Sequence, residues 1–266
     1  MILQLIAALA GAILVQVQEP TAVTPDIPYA GTENPRQRLD LHLPKERPAG
    51  RLPVIVFLEG DKAKGAEPLR PLLRTGKYAG VSVGVRLSGE AAWPAPIHDC
   101  KAAIRWIRAN ADKHDLDPDR IGVWGRSAGA HLALLLGVTG DVPDLEGDLG
   151  PYKGTSSRVT CVVNFSGKSD LANDPKASPM TYITRDDAPV LTVHGTADRT
   201  VPYEQAVRLD EALGKAGVTS YFVTVKGGGH GDFGTVAQDR VEEFLTKYLL
   251  GYGDTVSTEP IDVETR

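Results

Sequence analysis

The segment DRIGVWGRSAGAHLALLLG, residues 119–137, decides the fold of this chain. A short apolar run, 121–124, leads into GRSAG, residues 125–129, and a segment rich in alanine and leucine follows at once. This order predicts a strand, a tight turn and a helix, with Ser127 exposed at the tip of the turn. Glycines two positions either side leave room for so sharp a turn, in which the serine is strained. The segment therefore predicts a nucleophilic serine held above the end of a helix.

Outward from this segment, strands and helices alternate along the chain. Apolar runs of strand length predict strands, and apolar residues at helical spacing predict helices. The predicted strands are Arg38–Leu43, Pro53–Leu58, Gly80–Val85, Ile121–Trp124, Val159–Phe165, Pro189–His194 and Thr219–Val225, and the predicted helices are Glu67–Thr75, Ala95–His114, the segment after Ser127, Tyr203–Ala216 and Val236–Leu249. Such alternation predicts an α/β fold, with a mostly parallel sheet covered by helices on both faces.

The composition is that of one soluble globular domain, with 266 residues, 42% hydrophobic and 24% charged. A net charge of -5, without a cluster of Lys and Arg, argues against nucleic acid as a partner. Cys100 and Cys161 fall in a predicted helix and a predicted strand, which favours buried free thiols over a disulfide. Two cysteines make no thiolate zinc site unaided, and no dinucleotide-binding motif is found. These residues therefore support neither a thiolate zinc site nor a dinucleotide cofactor.

The chain divides into four segments. Residues 1–18 are apolar apart from three glutamines, and they are typical of a signal peptide, with small residues at 10–12 near a cleavage point. They predict export to the periplasm or the exterior, without stable membrane insertion after processing. An uncleaved membrane anchor is the alternative, because the first residues lack Lys and Arg. Residues 19–28, with three prolines, predict a linker; residues 29–250 form the folded domain; and 251–266, acidic and unpatterned, predict a disordered tail.

A serine hydroxyl needs a base to take its proton at neutral pH, a role that suits histidine. His230 lies in the glycine-rich loop KGGGHGDF after the last predicted strand, at the end of the sheet where open α/β folds bind ligands. The other histidines are interpreted as surface, packing or structural residues: His42, His98, His114, His131 and His194.

The base in turn needs a carboxylate to orient it. Asp198 follows a predicted strand in the turn HGTADRTVP, and the order Ser127, Asp198, His230 is the order in which α/β-hydrolases carry these groups. Asp170, in NFSGKSD after the preceding strand, is the competing acid. A solvated aspartate in a turn is the alternative interpretation of either residue.

With these residues in place, the chain resembles α/β-hydrolases of the carboxylesterase and lipase-like group, which includes bacterial feruloyl and acetyl esterases. The segments that carry the resemblance are RLDLHLP, PVIVFLEG, RLSGEAAWPAPIHDCKAAIRWIRAN, DPDRIGVWGRSAGAHLA, NFSGKSDL, ASPMTYIT, VLTVHGTADRTVPYEQA and GGGHGDF. The resemblance implies an α/β-hydrolase fold and ester hydrolysis without metal or cofactor. It implies that Ser127 attacks the carbonyl, His230 transfers the proton and Asp198 orients the ring.

Two departures from the family pattern bear on activity. Where the family reads HGGGW after the third strand, this chain reads EGDKA, residues 59–63. Two N–H donors should face the oxyanion, one from Ala128 and one from the loop at Gly60 and Asp61. Because glycine is largely replaced there, we expect modest activity toward simple esters. The stretch 170–177 is too short for a large cap, which predicts an open cleft and favours bulky or glycan esters.

Two alternative functions follow from the same residues. The altered loop is compatible with a non-catalytic protein that binds a carbohydrate or a partner on an esterase scaffold. The acid and base loops resemble those of oligopeptidases, although no propeller domain precedes this one, so serine peptidase activity is the weaker alternative. The sequence carries no signal of oligomeric state or of acyl specificity.

Overall fold

The computed structural model describes residues 21–59, 66–86, 89–231 and 233–263. The strands within these ranges are β1 (Thr21–Pro28), β2 (Arg38–Pro44), β3 (Leu52–Leu58), β4 (Ala79–Val83), β5 (Leu116–Arg126), β6 (Cys161–Phe165), β7 (Val190–Gly195), β8 (Ser220–Lys226) and β9 (Ile261–Asp262). The α-helices are α1 (Arg70–Arg74), α2 (Ala95–Ala109), α3 (Ala111–His114), α4 (Ala128–Val138), α5 (Pro143–Glu146), α6 (Glu204–Ala216) and α7 (Gly234–Leu245). A π-helical turn, Thr246–Leu250, extends α7.

The strands form one sheet in the order β1-β2-β4-β3-β5-β6-β7-β8-β9. β2 pairs antiparallel with β1 and with β4, and every other neighbouring pair is parallel. All seven residues of β3 are buried, as expected for a strand with helices on both faces of the sheet. The predicted α/β fold with a mostly parallel sheet is therefore confirmed.

The core lies on both faces of the sheet. On one face, strand residues such as Val56 pack with Ile104 of α2 and Leu134 of α4. On the other face, Phe57 packs with Phe244 of α7 and with residues of α1. Successive residues of a strand point to opposite faces, so each parallel strand supplies both halves of the core.

The predicted linker, residues 19–28, is wrong where the structure describes it, because Thr21–Pro28 forms strand β1. Proline is tolerated in a strand at the edge of a sheet, where a missing N–H breaks no ladder on the open side. The pairing with β2 shifts register between Thr24 and Ile27, so Pro25 and Asp26 form a bulge. The displaced amide of Asp26 donates to Oδ1 of Asp40 at 2.8 Å.

The predicted disordered tail is also wrong over residues 251–263. Ile261 and Asp262 form β9, which pairs parallel with β8. Val256 and Ile261 are each 7% exposed, and the amide of Ser257 donates to Oε2 of Glu243 at 2.8 Å. Burial of Val256 and Ile261 and the hydrogen bond to α7 thus order this segment. Its acidic composition, by contrast, predicts disorder.

The fold also tests predictions for one helix, the two cysteines and the cap segment. The predicted helix 95–114 is divided at Asn110 into α2 and α3, and Asp115 ends it in the left-handed conformation. Cys100 and Cys161 are buried and free, as predicted. The segment 166–189 between β6 and β7 contains two short 3-10 helices, Pro175–Ala177 and Pro179–Thr181, which agrees with a minimal cap.

The predicted signal segment, residues 1–18, lies outside the described residues. Across the ranges that are described, none of the helices combines the length and hydrophobicity needed to cross a bilayer.

Candidate active site

Ser127 lies between β5 and α4 at the turn predicted from the sequence. Its backbone is strained, with φ 52° and ψ -118°. A Cβ at Gly125 would overlap the carbonyl oxygen of Gly129, and a Cβ at Gly129 would overlap that of Leu58 at the end of β3. Glycine is therefore required at both positions, for the steric reason that the sequence motif suggests.

His230 bridges the other two predicted residues. Its Nε2 lies 2.9 Å from Oγ of Ser127, and its Nδ1 lies 2.8 Å from Oδ2 of Asp198. With the ring proton on Nδ1, His230 donates to the carboxylate and accepts from the serine hydroxyl. The three side chains follow β5, β7 and β8, whose carboxyl ends meet at the same edge of the sheet. The structure thus brings together the serine, the histidine and the aspartate that the sequence singled out.

Asp198 is held in its ionised form. Its side chain is fully buried, and its Oδ1 accepts from the amides of Thr200 at 2.8 Å and Val201 at 2.9 Å. Burial alone raises the pKa of the carboxyl, but the hydrogen bonds from Val201, His230 and Thr200 outweigh it, so the pKa lies below its ordinary value of 3.8. The charge therefore faces His230 at neutral pH.

His194 contacts the same carboxylate. The sequence pattern does not predict this contact. The expected structural hydrogen bond is present, from Nε2 to the carbonyl of Val201 at 2.9 Å. The same Nε2 also lies 3.3 Å from Oδ2 of Asp198, and burial lowers the pKa of His194. A neutral second imidazole thus packs behind the carboxylate. The spacing of a histidine four residues before the acid, across one tight turn, was the available signal.

The competing residues have partners elsewhere. Oδ2 of Asp170 lies 3.2 Å from Arg208 on α6, and its amide donates to Oε1 of Gln205 at 2.8 Å. Nδ1 of His131 lies 2.9 Å from the carbonyl of Lys168. Asp170 therefore pairs with residues of α6, whereas Asp198 contacts His230.

Part of the predicted oxyanion hole can be placed. Ala128 is the first residue of α4, so its N–H is one of those that the helix leaves unpaired at its start. Gly60 and Asp61 lie outside the described residues. Glu59, which precedes them, places Oε1 3.8 Å from Nη1 of Arg126.

A cavity of about 260 Å³ opens at Ser127. Its described lining consists of Glu59, Arg126, Ser127, Phe165, Ser166, His230 and Gly231. Ser166, which the sequence analysis did not single out, follows β6 as Ser127 follows β5. Its signal was a serine between the end of an apolar strand and a glycine. Within the described ranges, no group of three or more His, Cys, Asp or Glu side chains is arranged to hold a metal.

Comparison with known proteins adds a family and a set of relatives. The model of the BD-FAE family matches residues 39–176 and 173–213. Esterase LipC of Mycobacterium tuberculosis is 30% identical over 235 residues, 75% of this chain and 58% of that protein, and Esterase LipQ of the same organism is 29% identical over 267 residues, 86% of this chain and 62% of that protein. The chain thus spans about three fifths of the length of these relatives.

Two solved structures are similar over most of the chain. A truncated carbohydrate esterase from gut microbiota is 32% identical, with a TM-score of 0.83, and the alignment covers 88% of this chain and 98% of that one. A thermophilic esterase from Thermogutta terrifontis, with propionate bound, is 26% identical, with a TM-score of 0.73 and coverage of 88% and 97%.

Proposed function

The chain belongs to the BD-FAE family and has the α/β-hydrolase fold, and from that premise we propose that it is a serine carboxylic ester hydrolase. The observation that carries the proposal is the ring of His230, with one nitrogen 2.9 Å from Oγ of Ser127 and the other 2.8 Å from Asp198. This arrangement meets the geometric requirement for a nucleophile, a general base and a carboxylate that orients the base.

In the proposed reaction, Oγ of Ser127 attacks the ester carbonyl while its proton passes to Nε2 of His230. The carbonyl electron pair moves onto oxygen and forms a tetrahedral oxyanion. When that pair returns, the bond to the alcohol oxygen breaks, and His230 delivers its proton to the leaving oxygen. Water then attacks the acyl-serine by the same route and releases the acid.

Two features support stabilisation of charge along this path. Asp198 stabilises the imidazolium, because its pKa is lowered and its charge is therefore present at neutral pH. The N–H of Ala128 at the start of α4 is one proposed oxyanion donor, and the loop at Gly60 and Asp61 is proposed to supply the other.

We propose an acylated carbohydrate or another bulky ester as substrate. The short segment 166–189 leaves the carboxyl end of the sheet without a large cap beside β6. The similarity to a carbohydrate esterase from gut microbiota points to the same class of substrate.

Covalent labelling tests the nucleophile. A fluorophosphonate probe should label the full-length protein once, with the adduct on Ser127, and Ser127→Ala should abolish labelling and turnover of p-nitrophenyl acetate. Ser156→Ala, which lies outside the cavity at the nucleophile, is the matched serine control and should label normally. Labelling of Ser127→Ala would overturn the assignment.

Two other outcomes would favour the alternative functions. A folded protein that neither labels nor turns over any ester would favour the non-catalytic alternative. Faster cleavage of an aminoacyl nitroanilide than of the ester would favour the peptidase.

A further inference from the structure

Ser166 directly follows β6, as Ser127 directly follows β5. The last residues of the two strands, Arg126 and Phe165, are paired in the sheet, so the serines that follow them stand side by side. The amide of Ser127 donates to the carbonyl of Phe165 at 2.9 Å, and the amide of Ser166 donates to that of Val193 on β7 at 3.2 Å. Both serines have φ 52°, a strained conformation for a residue other than glycine.

In the described part of the chain, the hydroxyl of Ser166 forms no hydrogen bond. The residue is 1% exposed and lines the cavity that holds Ser127 and His230. Its Oγ is buried and has no hydrogen-bond partner among the residues that the structure describes. A buried hydroxyl without a partner opposes folding. Backbone strain and an unpaired buried hydroxyl, together beside Ser127, are features typical of a functional site rather than of a stabilising contact.

The turn that contains Ser166 is built by other groups. Oδ1 of Asn164 accepts from the amide of Gly167 at 3.0 Å, and Nδ2 of Asn164 lies 3.2 Å from Oγ1 of Thr192. These bonds fix the end of β6 without the side chain of Ser166.

The position of Ser166 in the sheet indicates which part of a substrate it meets. The proposed oxyanion donors are Ala128 and the residues that come after Glu59 in the chain, and β3, which ends just before Glu59, lies on one side of β5. Ser166 follows β6, on the other side, towards β7 and β8, which carry Asp198 and His230. If the carbonyl oxygen of the ester points to Ala128 and the end of β3, the group on the side of Ser166 is the oxygen that exchanges a proton with His230.

We infer that Ser166 is a further substrate-contacting residue, whose hydroxyl hydrogen-bonds the reacting oxygen on the His230 side of Ser127. This inference rests on the proposed ester hydrolase function. A hydroxyl both donates and accepts, so it serves both half-reactions. In acylation it donates to the alcohol oxygen that leaves the tetrahedral intermediate. In hydrolysis of the acyl-enzyme, it accepts one hydrogen of the water while His230 takes the other.

Ser166→Ala tests this inference, because it removes the hydroxyl and leaves Ser127, His230 and Asp198 in place. With p-nitrophenyl acetate, whose leaving group needs no proton, acylation should change less than about twofold while kcat falls about tenfold, the effect of one hydrogen bond. The slower second step should appear as a burst of p-nitrophenol equal to the enzyme concentration. With ethyl acetate, whose leaving group does need a proton, kcat/KM should also fall about tenfold.

A contrast in stability separates this role from a structural one. Oγ of Ser178 is buried but well partnered, with the amide of Leu171 donating to it at 2.7 Å. Ser178→Ala should lower the urea midpoint and keep its turnover per folded molecule, whereas Ser166→Ala should keep or raise the midpoint and lose turnover. Ser166→Gly removes both the hydroxyl and the backbone strain, so it provides a second folded variant without the hydroxyl.

The outcomes distinguish the inference from the function on which it rests. If the wild-type protein does not label or turn over esters, the proposed function fails. If the wild type labels and turns over but both Ser166 variants match it in kcat and burst, only the role of Ser166 is overturned. A loss of stability in Ser166→Ala as large as that in Ser178→Ala would also overturn it, since the hydroxyl would then have a structural partner.

Discussion

Arg86, just after β4, holds Asp99 of α2 with both its backbone and its guanidinium. The amide donates to Oδ2 at 2.8 Å, Nη2 donates to Oδ1 at 2.7 Å, and Nε donates to both oxygens. Nε2 of Gln37 also donates to Oδ1 at 2.7 Å. Asp99 has no exposed side-chain surface, while 24% of the side chain of Arg86 remains exposed. The pair joins the end of β4 to α2, which packs against α4, the helix that follows Ser127.

Asp99→Asn should therefore destabilise the fold, because it leaves Arg86 without its counter-charge. We expect a loss near the lower end of the ~3–5 kcal/mol seen when one partner of a buried pair is removed, since Arg86 is partly exposed. Urea unfolding followed by circular dichroism measures this. Asp112→Asn, which removes the exposed partner of Arg51, is the control and should leave the midpoint nearly unchanged. Equal stability of the two variants would show that the buried pair contributes no more than a surface pair.

Gly129→Ala should disrupt the turn at Ser127. The added Cβ overlaps the carbonyl of Leu58, which is main chain and cannot rotate away. Either the end of β3 moves or the turn does, and both carry parts of the site, so ester turnover should fall at least about a hundredfold. Gly214→Ala in α6, where a Cβ meets no atom within 4 Å, should instead raise stability by about 0.5–1 kcal/mol. Full activity in Gly129→Ala would contradict the steric account.

Asp198→Asn should lower kcat about 10⁴-fold, because an amide does not hold the histidine tautomer that accepts the serine proton. The same variant should show a pH-dependent loss of stability. The pKa of Asp198 in the fold lies below its ordinary value of 3.8, so its stabilising effect is complete above that value and disappears as pH falls through the folded pKa. The difference between the urea unfolding midpoints of the wild type and the variant should be constant near pH 7 and should shrink below about pH 4. A difference that grows on acidification would have the wrong sign.

The residues that follow β3 are expected to limit the rate of ester hydrolysis. Replacing Glu59, Asp61 and Lys62 by His, Gly and Gly should raise kcat at least about tenfold, because a lost oxyanion donor costs about a hundred- to a thousandfold. Stopped-flow turnover of p-nitrophenyl acetate measures the gain, and the melting temperature shows whether the variant is folded. An unchanged rate in a folded variant would mean that the native loop already supplies its donor without glycine.

The sequence predicts the part of the site that follows from the order of the parallel strands. Loops at the carboxyl ends of neighbouring strands converge, so Ser127, Asp198 and His230 can be assembled from their places in the chain. Contacts that depend on distances within the assembled sheet are different. Register and backbone conformation bring His194 to Asp198. They also place Ser166 beside Ser127. Neither register nor backbone conformation can be predicted from the residue pattern.

The edges of the fold escape prediction for another reason. Most side chains of β1 are exposed and β9 is two residues long, so neither segment shows a side-chain pattern that would predict a strand. Prolines and acidic residues, which usually indicate irregular structure, are accepted there because one side of an edge strand has no partner. Composition therefore predicts a linker and a disordered tail, although parts of both segments belong to the sheet.

The bulge in β1 also bears on how the protein behaves when it is crowded. An exposed sheet edge with a continuous row of free N–H groups can recruit a strand from another molecule and begin aggregation. In β1, Pro25 has no N–H to offer, and the amide of Asp26 is turned inward to Asp40. The opposite edge, β9, is two residues long. Neither edge of the described sheet presents a template for growth, so concentrated solutions should resist assembly into fibrils through strand addition.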